Sequence, residues 1–375
     1  MSITSNFDSG NIQVVSLDDA ANIELNIRKD TGAGFFQWFY YRVTGAIDID
    51  LKMKILNAGE ASYPEGYEGY QARASYDKTN WFLVPTSFDG KTLTIEHQPE
   101  MDVVFYAYFA PYSYEQHLGY IHAVQFSPLC KTESIGKTYE GREIDFLTIG
   151  EEAEGKKKIW VIARQHPGES MASFFMEGLI DRLLDVDDPV PRTLLDKAVF
   201  YIVPFINPDG AIHGNLRANA AGTNLNREWG TPDPDKAPEA FHILNKMHEI
   251  GVDLNLDIHG DEGLPYNFMA SIEGIPSYNK RLKDLLAAFR KHWLEISPDF
   301  QVEQGYPVNG PGKANLNICS KAIGEKFKCL SMTIEMPFKD NANLPDPVFG
   351  WSPERSAKFG ESIVDVALRV VDDLR

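Results

Sequence analysis

From about residue 140 onward the chain is paced by short, almost uninterrupted apolar runs: KIWVIA, AVFYIVPF, VDLNLDIHG and CLSMTIEM. No other feature constrains the fold as much. Each run has the length of a strand, and continuous apolar character means burial on both faces. Between the runs lie helical patterns, at Met171–Leu184, near Pro238–Ile250, over residues 278–295 and at the C-terminus. Strands alternating with helices predict an α/β domain around a mostly parallel or mixed sheet flanked by helices. In such open sheets ligands bind beyond the carboxyl ends of the strands, so the loops after these runs are where chemistry is expected.

Up to about residue 125 the pattern is different. IDIDLKMKI alternates strictly over residues 47–55, with Ile47, Ile49, Leu51, Met53 and Ile55 on one face and charges on the other, as a strand with one wet side requires. FFQWFYYRV, WFLVP, TLTIE and VVFYAYFAPY are further β-rich runs, separated by turn signals such as Gly32 to Gly34 and Asp89-Gly90. Short strands at this spacing predict an antiparallel β-sandwich. The expected organisation is a sandwich domain over residues 1–125 and an α/β domain over residues 126–375, and 375 residues with 43% hydrophobic content suffice for two cores. The aromatic runs of the first domain are expected to serve mainly its own core, and in part to pack on the second domain and restrict which chain ends enter it.

Charge and cysteine content narrow the function. Lys+Arg 36 against Asp+Glu 54 gives a net charge of -18, which repels nucleic acid and anionic membranes. No apolar run approaches membrane-spanning length, and MSITSNFDSGN lacks the basic and apolar regions of a secretory signal, so the reading is cytoplasmic. Cys130, Cys319 and Cys329 form no C-x-x-C pair, so any metal is expected on nitrogen and oxygen ligands.

The stretch VIARQHPGES carries His166 and Glu169 where a strand gives way to a helix. Spacing alone does not distinguish it from RKHWLEI, where His292 and Glu295 repeat the interval inside a helical pattern and read most simply as helix-surface residues. A catalytic zinc needs three protein ligands and an open position for water. His259, where VDLNLDIHG runs out into Gly260, is a candidate third ligand or, alternatively, a hydrogen-bonded core histidine. Glu335 closes the apolar strand CLSMTIEM, where an idle buried carboxylate would be costly, and is a candidate general base. Arg217, Asn226 and Arg227 in NLRANAAGTNLNREW offer forks for an oxyanion and a carboxylate.

HPGES with MASFFMEG, PFINPDG, GNLRANAAGTNLNREW, LDIHGD and TIEMPF, in this order, resemble the zinc carboxypeptidases, in particular their cytosolic carboxypeptidase branch of bacterial type. SIGKTYEGREIDFLTIG, QWFYYRV and YAYFAPYSYEQ extend the resemblance over nearly the whole chain. It implies a zinc-carboxypeptidase-like fold and one Zn2+ held by His166, Glu169 and His259. It also implies Arg217 on the oxyanion, Asn226 and Arg227 on the terminal carboxylate, Glu335 as base, and a peptide or protein C-terminal tail as substrate. Relatives commonly have Asp, orienting the first zinc histidine, where this chain has Asn224; Asp257 is a candidate substitute. Tyr306 is either the mobile tyrosine many relatives use on the substrate carboxylate or a loop aromatic. Aligning GKANLNIC with the specificity segment of glutamate-removing relatives puts neutral Asn315 at the pocket base, flanked by Lys313 and Lys321. The expectation is a preference for neutral C-terminal residues, with deglutamylation of acidic tails and hydrolysis of small N-acyl amino acids as alternatives.

Overall fold

A computed structural model describes residues 1–375. Ten short strands come first: β1 (Ser2–Thr4), β2 (Gln13–Ser16), β3 (Ile23–Asn26), β4 (Tyr40–Thr44), β5 (Leu51–Ile55), β6 (Arg73–Ser75), β7 (Phe82–Leu83), β8 (Thr86–Phe88), β9 (Leu93–His97) and β10 (Val103–Ala107). They form two five-stranded sheets ordered β1-β4-β10-β6-β7 and β2-β3-β5-β9-β8. All pairs are antiparallel except β3 with β5. The alternating segment at residues 47–55 is a strand only in its second half. Ile47 and Ile49 are 48% and 36% exposed, because the chain turns through Asp48 at φ 57° and docks its backbone on Pro99 and Asp102. The alternation of hydrophobic and charged residues there is incidental to a loop.

After α1 (Tyr114–Val124) come β11 (Cys130–Lys137), β12 (Glu143–Ile149), β13 (Lys157–Ala163), β14 (Ala198–Val203), β15 (Leu254–Asp261), β16 (Phe268–Ser271) and β17 (Leu330–Pro337). They make one mixed sheet ordered β11-β12-β14-β13-β15-β17-β16. The four apolar runs are its parallel centre, β14-β13-β15-β17, with antiparallel strands at the edges. Alternate residues of β13 feed different cores, as a period of two demands. Ile159, Val161 and Ala163 join the core with α2 (Met171–Leu184), while Trp160 and Ile162 face the core that holds α5 (Pro238–Ile250) and α7 (Cys319–Phe327). On the α2 side lies α8 (Pro353–Val370). The two helices touch through glycines: a Cβ on Gly178 would lie 2.0 Å from the Ala357 carbonyl, and one on Gly360 2.0 Å from that of Phe175.

Strand order reverses at β13, whose chain successor β14 lies on one side and β15 on the other. The crevice this opens beyond the carboxyl ends of β13 and β15 is where an open α/β sheet binds ligands. The two domains share one apolar core. Arg73 from β6 is buried, stacks over Phe109 and donates to the carbonyls of Tyr108, Phe338 and Trp351, tying the N-terminal sheet to segments after β17. Tyr108 stacks on Phe338 at 4.6 Å beside it.

Candidate functional site

β13 ends at Ala163, and the next residue, Arg164, has φ 61°, an uncommon conformation for a side chain of this size. Its buried guanidinium holds the turn by donating to Pro167 O, Tyr112 O and Ser173 Oγ, and it lies over the Phe205 ring. The turn aims His166 into the crevice. β15 runs parallel to β13 with Ile258 level with Ala163, so His259 emerges at the same end. Glu169 sits between the two histidines: Oε1 is 2.7 Å from His166 Nδ1, Oε2 is 2.8 Å from His259 Nδ1, and the two Nδ1 atoms are 3.1 Å apart. All three residues are buried.

The other ring nitrogens are engaged outward. His166 Nε2 is 3.1 Å from Asn224 Oδ1, and His259 Nε2 is 3.1 Å from Asp257 Oδ1, which also accepts from Gln165. Proton donation to these oxygens turns both Nδ1 lone pairs inward, onto the same point as the Glu169 carboxylate. Three acceptors sharing a buried point call for a cation. A tetrahedral zinc with bonds of about 2.0–2.1 Å sets donors about 3.3 Å apart, a few tenths of an ångström more than found here. The donor set therefore fits zinc. Burial, with the Arg217 charge, lowers His166 to about 4, so it is a neutral imidazole as a ligand must be. Burial would also lower His259, but Asp257 and Glu169 outweigh it and hold this histidine well above its ordinary value; a bound dication would displace that proton.

Glu335 lies on β17 in register with His259. Burial first, then the carboxylates of Glu169, Asp261 and Glu262, raise it well above the usual carboxylate range despite the opposing His259 charge. Its Oε2 has no hydrogen-bond partner. Tyr306 reaches in from the 305–312 loop: its hydroxyl bonds Asp261 and lies 3.4 Å from Glu335 Oε1. Asn226 Oδ1 accepts from the first backbone N–H of α7, Cys319 N, at 2.8 Å, and Arg227 donates to Asn226 O. Arg217 lies over the Tyr63 ring of the N-terminal domain at 5.4 Å. One cleft of about 880 Å³ is lined by His166, Glu169, His259, Glu335, Tyr306, Asn226, Arg227 and Arg217, and by Tyr63, Glu65 and Glu68 of the first domain.

Two expectations are corrected. Asn315 is exposed on the surface segment before α7, its Oδ1 accepting from Asn317 N, and it lines no part of the cleft; Lys313 is exposed as well. Lys321 occupies the wall instead, because α7 starts against Asn226 and its third residue then points inward. Asp257 orients His259 rather than His166, which keeps Asn224. His292 and Glu295 lie on the outer face of α6 (Lys280–Ile296), 3.3 Å apart and away from the cleft. Sequence reading passed over Gln165, Tyr63, Glu262 and Arg290. Gln165 adjoins His166 and was within reach, whereas Tyr63 and Arg290 meet the cleft only through tertiary packing.

Family models agree with this geometry: residues 3–109 match the cytosolic carboxypeptidase N-terminal domain and residues 118–341 match zinc carboxypeptidase. The chain belongs to the zinc carboxypeptidase family. A metallo-carboxypeptidase from Burkholderia cenocepacia is 51% identical, with TM-score 0.97 and 99% of each chain covered. A metallo-carboxypeptidase from Pseudomonas aeruginosa, solved with (2-guanidinoethylmercapto)succinic acid, is 44% identical with TM-score 0.98 over 100% of both chains. Human cytosolic carboxypeptidase 2 is 31% identical over 84% of this chain, which spans 37% of that protein's length. The chain is thus a metallocarboxypeptidase, a peptide hydrolase, and the family implies zinc. No helix is long and apolar enough to cross a membrane.

Proposed function

We propose that the protein binds one zinc per chain through His166, Glu169 and His259 and removes an acidic C-terminal residue from peptides or protein tails. The convergence of that triad with Glu335 in one cleft carries the reaction class. Zinc bound there supplies a Lewis acid that acidifies water and polarises the scissile carbonyl. Asn226 and Arg227 hold the substrate's free carboxylate, and Arg217 donates to the oxyanion as it develops. Glu335 takes a proton from the attacking water and delivers it to the leaving amine.

The acidic preference reverses the expectation drawn from Asn315, and its support is Lys321. With the terminal carboxylate on Asn226 and Arg227, the departing side chain points toward the start of α7, where Ser320, Lys321, Thr333, Glu273 and Arg290 form the wall. Arg290 and Glu273 pair at 3.1 Å, while Lys321 makes neither hydrogen bond nor ion pair. Burial lowers Lys321 to about 8, leaving it cationic at neutral pH. The Lys321 ammonium faces the cleft with the Glu273 carboxylate near it but no hydrogen-bonded acceptor, and a substrate carboxylate would supply one. A basic side chain, such as the guanidino group bound by the Pseudomonas relative suggests, would have to displace Arg290 from Glu273. Peptides differing only in a terminal Glu, Asp, Ala, Leu, Lys or Arg decide this: fastest loss of Glu or Asp, read by mass spectrometry, is expected, and faster loss of Arg or Leu refutes it. We assign the work to the cytoplasm, supported by three unpaired thiols and by cytosolic relatives.

A further inference from the structure

Arg217 is anchored in an unusual way. Its guanidinium makes no hydrogen bond within the protein and has only the Tyr63 ring beneath it. What fixes it is the backbone, and three consecutive N–H groups of that backbone converge on one side chain of the other domain. Asp30 Oδ1 accepts from Leu216 N at 2.7 Å, and Oδ2 accepts from Arg217 N at 2.8 Å and Ala218 N at 2.9 Å. Successive amides curled around an anion form a nest, and Asp30 fills it from outside the loop. Neighbouring contacts share the direction: Thr31 donates to Asn215 Oδ1, and Asn11 donates to Gly214 O.

We infer that Asp30 is a positioning residue for Arg217, so that the N-terminal domain completes the catalytic centre instead of merely covering it. Asp30 is only 4% exposed. Burial raises it to about 6 against the lowering effect of the three amides, so at neutral pH it is a buried anion. A carboxylate kept in such a place has to be fully paired, and here its pairing sets the backbone from which the arginine projects. An arginine that must meet an oxyanion within a few tenths of an ångström gains from a rigid base and a free head group. The inference rests on the oxyanion role of Arg217.

The test is a double-mutant cycle on the zinc-loaded full chain, using the panel peptide that the unaltered protein cleaves fastest. Asp30→Asn turns an amide N–H toward Arg217 N and Ala218 N, and is expected to lower kcat about 10-fold or more with KM and zinc content nearly unchanged. In an Arg217→Ala background the same change is expected to cost less than about 2-fold, because the group it positions is gone. An equal loss in both backgrounds, or no loss of kcat in Asp30→Asn, overturns the inference. If Asp30→Asn does not fold, Asp30→Glu keeps both oxygens but shifts the nest by a methylene, and is read through the same cycle by the same criteria. If Arg217→Ala alone leaves kcat unchanged, the oxyanion role itself has failed, a result distinct from an additive cycle.

Discussion

The chain spells His-x-x-Glu four times, ending at Glu100, Glu169, Glu262 and Glu295, and the occurrence after β13 and the one along α6 share nothing but the interval. At His166 and Glu169 the strand ends in a left-handed turn, both side chains are buried, and a second histidine arrives from the adjacent parallel strand. At His292 and Glu295 the same interval lies along a helix surface, where the pair meets Arg369 and water. A metal site is thus a matter of which elements converge, and the interval only makes two ligands available. On a helix, residues three apart share a face whatever their chemistry.

Removing the side chains at each place separates the two. His166→Ala or His259→Ala is expected to abolish stoichiometric zinc by elemental analysis and to reduce cleavage to background, whereas His292→Ala with Glu295→Ala stays within about 2-fold in rate and about 0.5 kcal/mol in stability. Full zinc in His166→Ala would end the claim that convergence makes the site. Next in size, Glu335→Gln is expected to lower kcat by about 10²-fold or more while zinc and KM stay near their original values. A change confined to KM would make Glu335 a substrate holder.

On the pocket side, Lys321→Ala is expected to reduce the kcat/KM ratio of Glu-ending over Ala-ending peptides by about 10-fold or more, the scale of a charged hydrogen bond. The same ratio should be full below pH 8 and fall as pH rises through about 8, because Lys321 loses its proton there in the free enzyme. Ionisations common to both peptides cancel in the ratio, so a flat profile would remove Lys321 from the pocket. The smallest effect is expected at Asn224→Asp. A charged acceptor on His166 Nε2 makes the ring a better ligand, and zinc affinity by chelator competition should rise about 10-fold. No rise would show that the amide already orients His166 as well as a carboxylate could.

How far the site could be read in advance depended on what positioned each residue. His259 and Glu335 end apolar strands, so the strand pattern already placed them at one end of a sheet, and parallel pairing of β15 with β17 puts them level. Arg217, Asn226 and Arg227 lie in a long irregular segment, where their chemistry made them candidates but only the resemblance to a family gave each a role. Asp30 gave no signal, since its partners are 186 to 188 residues away and an Asp between a lysine and a threonine looks like any surface turn. Lys321 was named but set aside, because choosing Asn315 required knowing where α7 begins. The alternation at Ile47 misled for a related reason: period two is necessary for a one-sided strand, but a loop can carry it by chance.

Arg73 has a further consequence, for the order in which the chain is made. Its acceptors at Phe338 and Trp351 lie 265 and 278 residues downstream, so they do not exist while the N-terminal strands leave the ribosome. Domains generally close as they emerge, but this one would bury a guanidinium lacking two of its three carbonyls. Its sheets are therefore expected to stay open to chaperones until the last helix is synthesised, and a polypeptide stopped before Phe338 to be degraded instead of accumulating as a folded half.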